Sequence, residues 1–74
     1  MDSTPLRKIS ILLNGEPAEV PAGLTVATLL EHAGIDPSRV AVELNRQIVP
    51  RSSWGSTPVD EGAQVEIVQF VGGG

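Results

Sequence analysis

The sequence predicts an α+β roll: a mixed sheet of four to five strands with one main helix packed on one face and a flexible C-terminal tail. Three observations carry this. Asn14-Gly15 joins two short stretches suited to strands. The apolar spacing then lengthens to a helical stripe at Val26, Leu29, Leu30 and Ala33. A final strand-like run, Gln64 to Phe70, is followed by Gly72-Gly73-Gly74. A hairpin, a helix and further strands in that order fit a helix lying on one face of a sheet.

The elements follow one another with little slack. Residues 1–5 are polar, contain Pro5 and are expected to form a flexible extension. From Leu6 to Leu13 the chain is rich in Leu and Ile, and Ile9, Ile11 and Leu13 alternate with Ser10 and Leu12. Asn14-Gly15 suits a type I′ turn, in which both central residues need φ > 0. Glu16 to Val20 is the returning strand, and Pro21-Ala22-Gly23 ends it, because proline cannot donate to a ladder. Thr25 is placed to cap the helix, and Gly34 to close it in the left-handed conformation. Asp36-Pro37-Ser38 connects to a strand at Val40–Leu44, with Val42 and Leu44 facing inward. Asn45-Arg46-Gln47 reads as a turn into Ile48-Val49, which Pro50 stops. Arg51 to Pro58 is irregular with room for a helical turn, and Asp60-Glu61-Gly62 turns the chain into the last strand. The most economical roll sets the last strand beside the first, both central and parallel. This is the β-grasp, or ubiquitin-like, arrangement. Residues 6–70 form that domain, and residues 71–74 form a tail expected to be mobile without a partner.

Composition narrows the function. With 74 residues the chain holds one domain at most, and no room remains for a deep cleft beside the core. A net charge of −4 argues against binding nucleic acid or an anionic membrane. The absence of cysteine excludes disulfides, thiolate metal sites and an intrinsic thiol nucleophile. No apolar run reaches the roughly 20 residues of a membrane span. Met1 to Pro5 lacks the features of a signal peptide, so the expected location is the cytoplasm.

Catalytic chemistry finds no foothold. His32 is the one histidine and lies off the apolar stripe with no base or ligand beside it. Ser52, Ser53 and Ser56 read as loop residues, and Asp60 and Glu61 as turn chemistry. No metal cluster is in view. The triple glycine is not a phosphate-binding loop, since no helix follows it. Arg51 reads as a solvated or locally paired loop residue, and Trp54 as a lid on the core.

The tail is the informative feature. Gly72, Gly73 and Gly74 make a thin peptide able to thread a narrow channel. A terminal carboxyl has a pKa of about 3.3–3.7, so it is an anion at neutral pH and can attack an electrophile such as the α-phosphate of ATP. Without a side chain, Gly74 hinders neither that attack nor a later one on the acyl adenylate. The tail therefore reads as a carrier arm activated by a partner enzyme. If Ile9, Ile11, Leu13, Val65 and Ile67 face the helix, then Leu12, Val68 and Phe70 face away and are candidates for partner docking. Leu12 and Val68 are expected to be neighbours if the first and last strands pair.

The stretches Leu13-Asn14-Gly15-Glu16, Leu24 to Leu30, Leu44 to Trp54 and Glu61 to Gly74 together resemble the ThiS-type sulfur carriers of thiamine biosynthesis. The most specific part is Asn45-x-x-Ile48-Val49-Pro50-Arg51 with Trp54 and the ending Phe70-Val71-Gly72-Gly73-Gly74. The resemblance spans Leu6 to Gly74 and implies a protein cosubstrate, not an enzyme, that binds no cofactor of its own. An E1-like adenylyltransferase (ThiF-type), using ATP and Mg²⁺, would convert the Gly74 carboxylate to an acyl adenylate. A persulfide or other sulfur donor would then leave a thiocarboxylate, and a thiazole synthase (ThiG-type) would take the sulfur. Other readings are a carrier of another pathway, such as the small subunit of a molybdopterin synthase, a passive ubiquitin-like binding module, and a small enzyme.

Overall fold

The computed structural model describes residues 7–70. The expected N-terminal extension at residues 1–5 and the tail at residues 71–74 lie outside them.

The first two strands are β1 (Lys8–Leu13) and β2 (Glu16–Pro21). Asn14 and Gly15 join them with φ of 51° and 83°, as a type I′ turn requires. The helix α1 (Val26–Ala33) starts at Thr25, whose side chain accepts from the Thr28 amide while the Thr28 hydroxyl accepts from the Thr25 amide. Two orphan donors of the first turn are thereby satisfied. Gly34, at φ 74°, closes the helix, and its amide donates to the carbonyls of Glu31 and Leu30. Val26, Leu29 and Leu30 are buried, each contributing about 1.5–3 kcal/mol of apolar burial. Ala33 is exposed, so the stripe ends a turn earlier than its spacing suggests, where Gly34 turns the chain away.

A 3₁₀ turn at Pro37–Arg39, capped by Asp36, leads into β3 (Val40–Leu44). Next come β4 (Gln47–Ile48), a 3₁₀ segment at Arg51–Ser56 and β5 (Gln64–Gln69). The turn before β4 holds two residues, not three: Asn45 and Arg46 have φ of 51° and 70°, and Gln47 already pairs with Leu44. The five strands are ordered β2-β1-β5-β3-β4. The pair β1–β5 is parallel, and β1–β2, β3–β5 and β3–β4 are antiparallel. This is the β-grasp arrangement the sequence predicts.

The helix covers one face of the sheet. Ile11, Val20, Val40, Val42 and Val65 meet Val26, Leu29 and Leu30 there, with Trp54 and Val59 closing the side. Ile9, Leu13, Leu44 and Ile67 pack at its margin. Trp54 is a core lid, as expected: it is 5% exposed, and its indole N–H donates to the Val49 carbonyl at 2.9 Å. Among the described residues no helix is long and apolar enough to cross a membrane.

Candidate functional site

Two parts of the molecule bear on function: the open face of the sheet and the strand that leads to residue 74. Alternation along β5 sends Val65 and Ile67 toward the helix and Gln64, Glu66 and Val68 outward. Phe70 follows in the outward series, and its amide donates to the Arg39 carbonyl at 2.8 Å, which ties the end of the sheet to the chain before β3. The strand thus has a fixed line up to the last described residue.

The open face carries the docking residues the sequence singles out. Leu12, Val68 and Phe70 are 37%, 56% and 56% exposed. The register separates them into two groups. Val68 lies opposite Ala41 on β3 and two residues from Phe70, at the end of β5 nearest the tail. Leu12 lies opposite Gln64 at the other end of that strand, about 13 Å from Val68 at roughly 3.3 Å per residue. The expected contact between Leu12 and Val68 is absent because β1 and β5 share only the pairs Leu12↔Gln64 and Leu13↔Val65.

Two features of this face escape a reading of the sequence. Ile48 points outward and is 74% exposed. It lies opposite Glu43, so knowing that the turn has two residues would have assigned its face. Glu43 is also directly opposite Glu66. Like charges opposed across strands weaken a sheet, and these two border an open hollow of about 490 Å³ with Leu12, Gln64 and Arg46. The face therefore grades from apolar near the tail to acidic near the hairpin turns.

Catalytic groups do not assemble. His32 is exposed in the last turn of α1. Ser53 offers its carbonyl to the hydroxyls of Ser56 and Thr57, so the serine cluster serves to close the 3₁₀ segment. The Glu61 carboxylate accepts from the Ser10 amide at 3.3 Å. Asp36 is held below its ordinary value of 3.8, first because the Ser38 amide and then because the Ser38 hydroxyl donates to it. Among the described residues no three His, Cys, Asp or Glu side chains gather as metal ligands would.

Arg51 has a structural place that the sequence leaves unread. Its guanidinium donates to the carbonyls of Pro37 and Val40 and lies 4.5 Å from the centre of the Trp54 ring. Gly72, Gly73 and Gly74, the residues with the clearest chemical signal, lie outside the described residues.

Comparison with known proteins agrees with this architecture. The model of the ThiS family matches residues 11–74. The sulfur carrier protein ThiS of Escherichia coli is 36% identical over 66 residues, which cover 89% of this chain and 100% of that protein. Thiazole synthase from Paramagnetospirillum magneticum is 44% identical over 66 residues, 89% of this chain. The chain spans only 20% of that enzyme's length, and the same share of a thiazole synthase from Magnetococcus marinus. Among solved structures, the thiamine biosynthesis protein ThiS from Geobacter metallireducens superposes with a TM-score of 0.78 at 34% identity, covering 89% of this chain and 100% of that one.

Proposed function

The chain belongs to the ThiS family, and from that premise we propose that it is a sulfur carrier for thiamine biosynthesis, a protein cosubstrate and not an enzyme. The observation that carries the reading is the family match running through residue 74, which includes the three glycines Gly72, Gly73 and Gly74.

The chemistry belongs to the Gly74 carboxylate. One of its oxygens attacks the α-phosphate of ATP on an E1-like adenylyltransferase of the ThiF type, and pyrophosphate leaves with Mg²⁺ balancing its charge. The resulting acyl adenylate is attacked at carbon by the terminal sulfur of a persulfide, and AMP departs. A thiol then cleaves the acyl disulfide, is itself oxidised to a mixed disulfide, and releases the thiocarboxylate. The chain has no cysteine, so both sulfur and thiol come from outside it. Glycine at 72, 73 and 74 keeps the arm narrow and the acyl carbon open on every side.

The scaffold positions this arm. Hydrogen bonding of β5 to β3 up to Phe70 fixes where the tail leaves the domain. Val68 and Phe70 offer apolar contacts near that exit, and Glu43 and Glu66, with Ile48 beside Glu43, offer a site for a basic side chain farther along the sheet. Leu12 adds contact area at the acidic end. The acceptor is a thiazole synthase of the ThiG type. This is supported by the two thiazole synthases whose sequences contain a ThiS-like stretch.

The acceptor is tested by presenting the thiocarboxylated chain to thiazole synthase and, in parallel, to the large subunit of a molybdopterin synthase. Thiazole formation with no sulfur transfer to the second enzyme is expected. Transfer only to the second enzyme would reassign the pathway and leave the carrier chemistry standing.

A further inference from the structure

Among the described residues, the hydrogen-bond pattern of β5 leaves one stretch of sheet edge without a partner, at the end of the strand next to Phe70. The even-numbered residues bond toward β3: the Asn45 amide donates to the Gln64 carbonyl, and the Phe70 amide to the Arg39 carbonyl. The odd-numbered residues point the other way, toward β1. Leu12 and Asn14 amides donate to the carbonyls of Ala63 and Val65. Beyond Leu13 the chain turns back into β2, so among the described residues no strand lies beside Ile67 and Gln69. The Asn14 side-chain oxygen takes the Ile67 amide at 2.7 Å, standing in for the carbonyl that a continuing strand would supply. Past that point the Ile67 carbonyl and the Gln69 amide and carbonyl face outward along the edge.

Two other stretches of edge are partly blunted by their own residues. On β2 the outward positions are 17, 19 and 21, since the Ala22 amide donates to Arg7 and fixes the alternation. Two of those positions are Pro17 and Pro21, which have no N–H to offer. On β3 the outward carbonyls of Val42 and Val40 are taken by the Val49 amide and the Arg51 guanidinium. With those stretches blunted, the Ile67–Gln69 edge keeps both an amide and carbonyls to offer an added strand.

A hollow of about 380 Å³ adjoins this edge, lined by apolar Leu13, Ile35, Val40 and Ile67 and by Asp36 among its polar residues. The Asp36 Oδ1 accepts from both the Ser38 amide and hydroxyl.

We propose that the enzyme activating Gly74 adds a strand to this edge. An extended segment of that enzyme pairs its main chain with Ile67 and Gln69 and places one apolar side chain in the hollow over Leu13, Ile35 and Ile67. The pairing rests on the carrier reading above. It gives that reading a grip that ends five residues before Gly74, on a strand already fixed from its other side by β3.

The test is amide hydrogen exchange of the full chain, alone and saturated with its adenylating enzyme, alongside sulfur loading from ATP and sulfide. In the isolated chain the Gln69 amide is expected to exchange freely while the Val68 amide is protected. Enzyme is expected to slow Gln69 at least tenfold. Gln69→Pro, which removes the outward N–H without touching the β3 ladder, is expected to slow loading at limiting carrier about two- to tenfold, the equivalent of one hydrogen bond. Gln69→Ala keeps the N–H and is expected to load like the native chain. Normal loading with unchanged Gln69 exchange would overturn the edge pairing and spare the carrier reading. No loading by an enzyme active on another carrier would overturn both. Protection of Gln69 in the isolated chain would also overturn the proposal: concentration dependence would assign the edge to a second copy, and loss of protection on removing Gly72–Gly74 would assign it to the tail.

Discussion

Arg51 holds three pieces of irregular chain at once. It bonds the Pro37 carbonyl before β3 and the Val40 carbonyl within it, and it stacks on Trp54 from the segment after β4. Such a fork needs the planar guanidinium, with two donors in fixed geometry. Arg51→Ala is expected to lower the unfolding free energy by about 1–3 kcal/mol in a urea titration. Arg51→Lys is expected to recover less than half of that, because a point charge cannot reach both carbonyls and stack. The sequence places Arg51 in a loop, where solvation or a local ion pair is the ordinary outcome. Its true partners are carbonyls 11 and 14 residues away, and carbonyls carry no signature in the side-chain pattern. Trp54 was legible because its large apolar area has few places to go in so small a domain.

Turns and caps decide how far each element can be read. Asn14-Gly15 announces its hairpin because both residues tolerate the left-handed region. Asn45-Arg46 builds the same kind of turn, but arginine at φ 70° is no turn signal, so the sequence suggests a longer connection. That one-residue difference conceals the outward face of Ile48. The helix is the opposite case. Thr25, the apolar spacing and Gly34 mark its start, face and end independently, and the structure departs from them only at exposed Ala33. The Thr25–Thr28 exchange satisfies donors at the helix start. Thr25→Ala is therefore expected to cost about 1 kcal/mol, read as a lower denaturation midpoint with an unchanged slope. Thr25→Ser is expected to restore most of it.

At the scale of the molecule, the parallel pairing of first and last strands follows from economy of connection, and the sequence suffices for it. The register does not. Two bridge pairs between β1 and β5 place Leu12 far from Val68, and nothing in the alternation of either strand encodes that offset. The open face consequently has an apolar end at Val68 and Phe70 and an acidic end at Glu43 and Glu66, instead of one apolar patch. Val68 is half exposed, so Val68→Asp is expected to change stability by less than about 1 kcal/mol. The same change places a charge where the proposed partner contact is apolar, and loading of the tail is expected to fall several-fold. A fall in stability matching the fall in loading would mean that the substitution damages the fold and not a docking face.

The proposed carrier role rests on Gly74, which lies outside the described residues and whose chemistry is argued from the sequence. It is tested most directly by the intact mass of the chain after incubation with its adenylating enzyme, ATP and sulfide, beside a variant lacking Gly74. A mass gain equal to the exchange of one oxygen for sulfur is expected in the full chain and none in the shortened one. No gain in either, with an enzyme shown to load another carrier, would contradict the carrier role and leave a ubiquitin-like binding module.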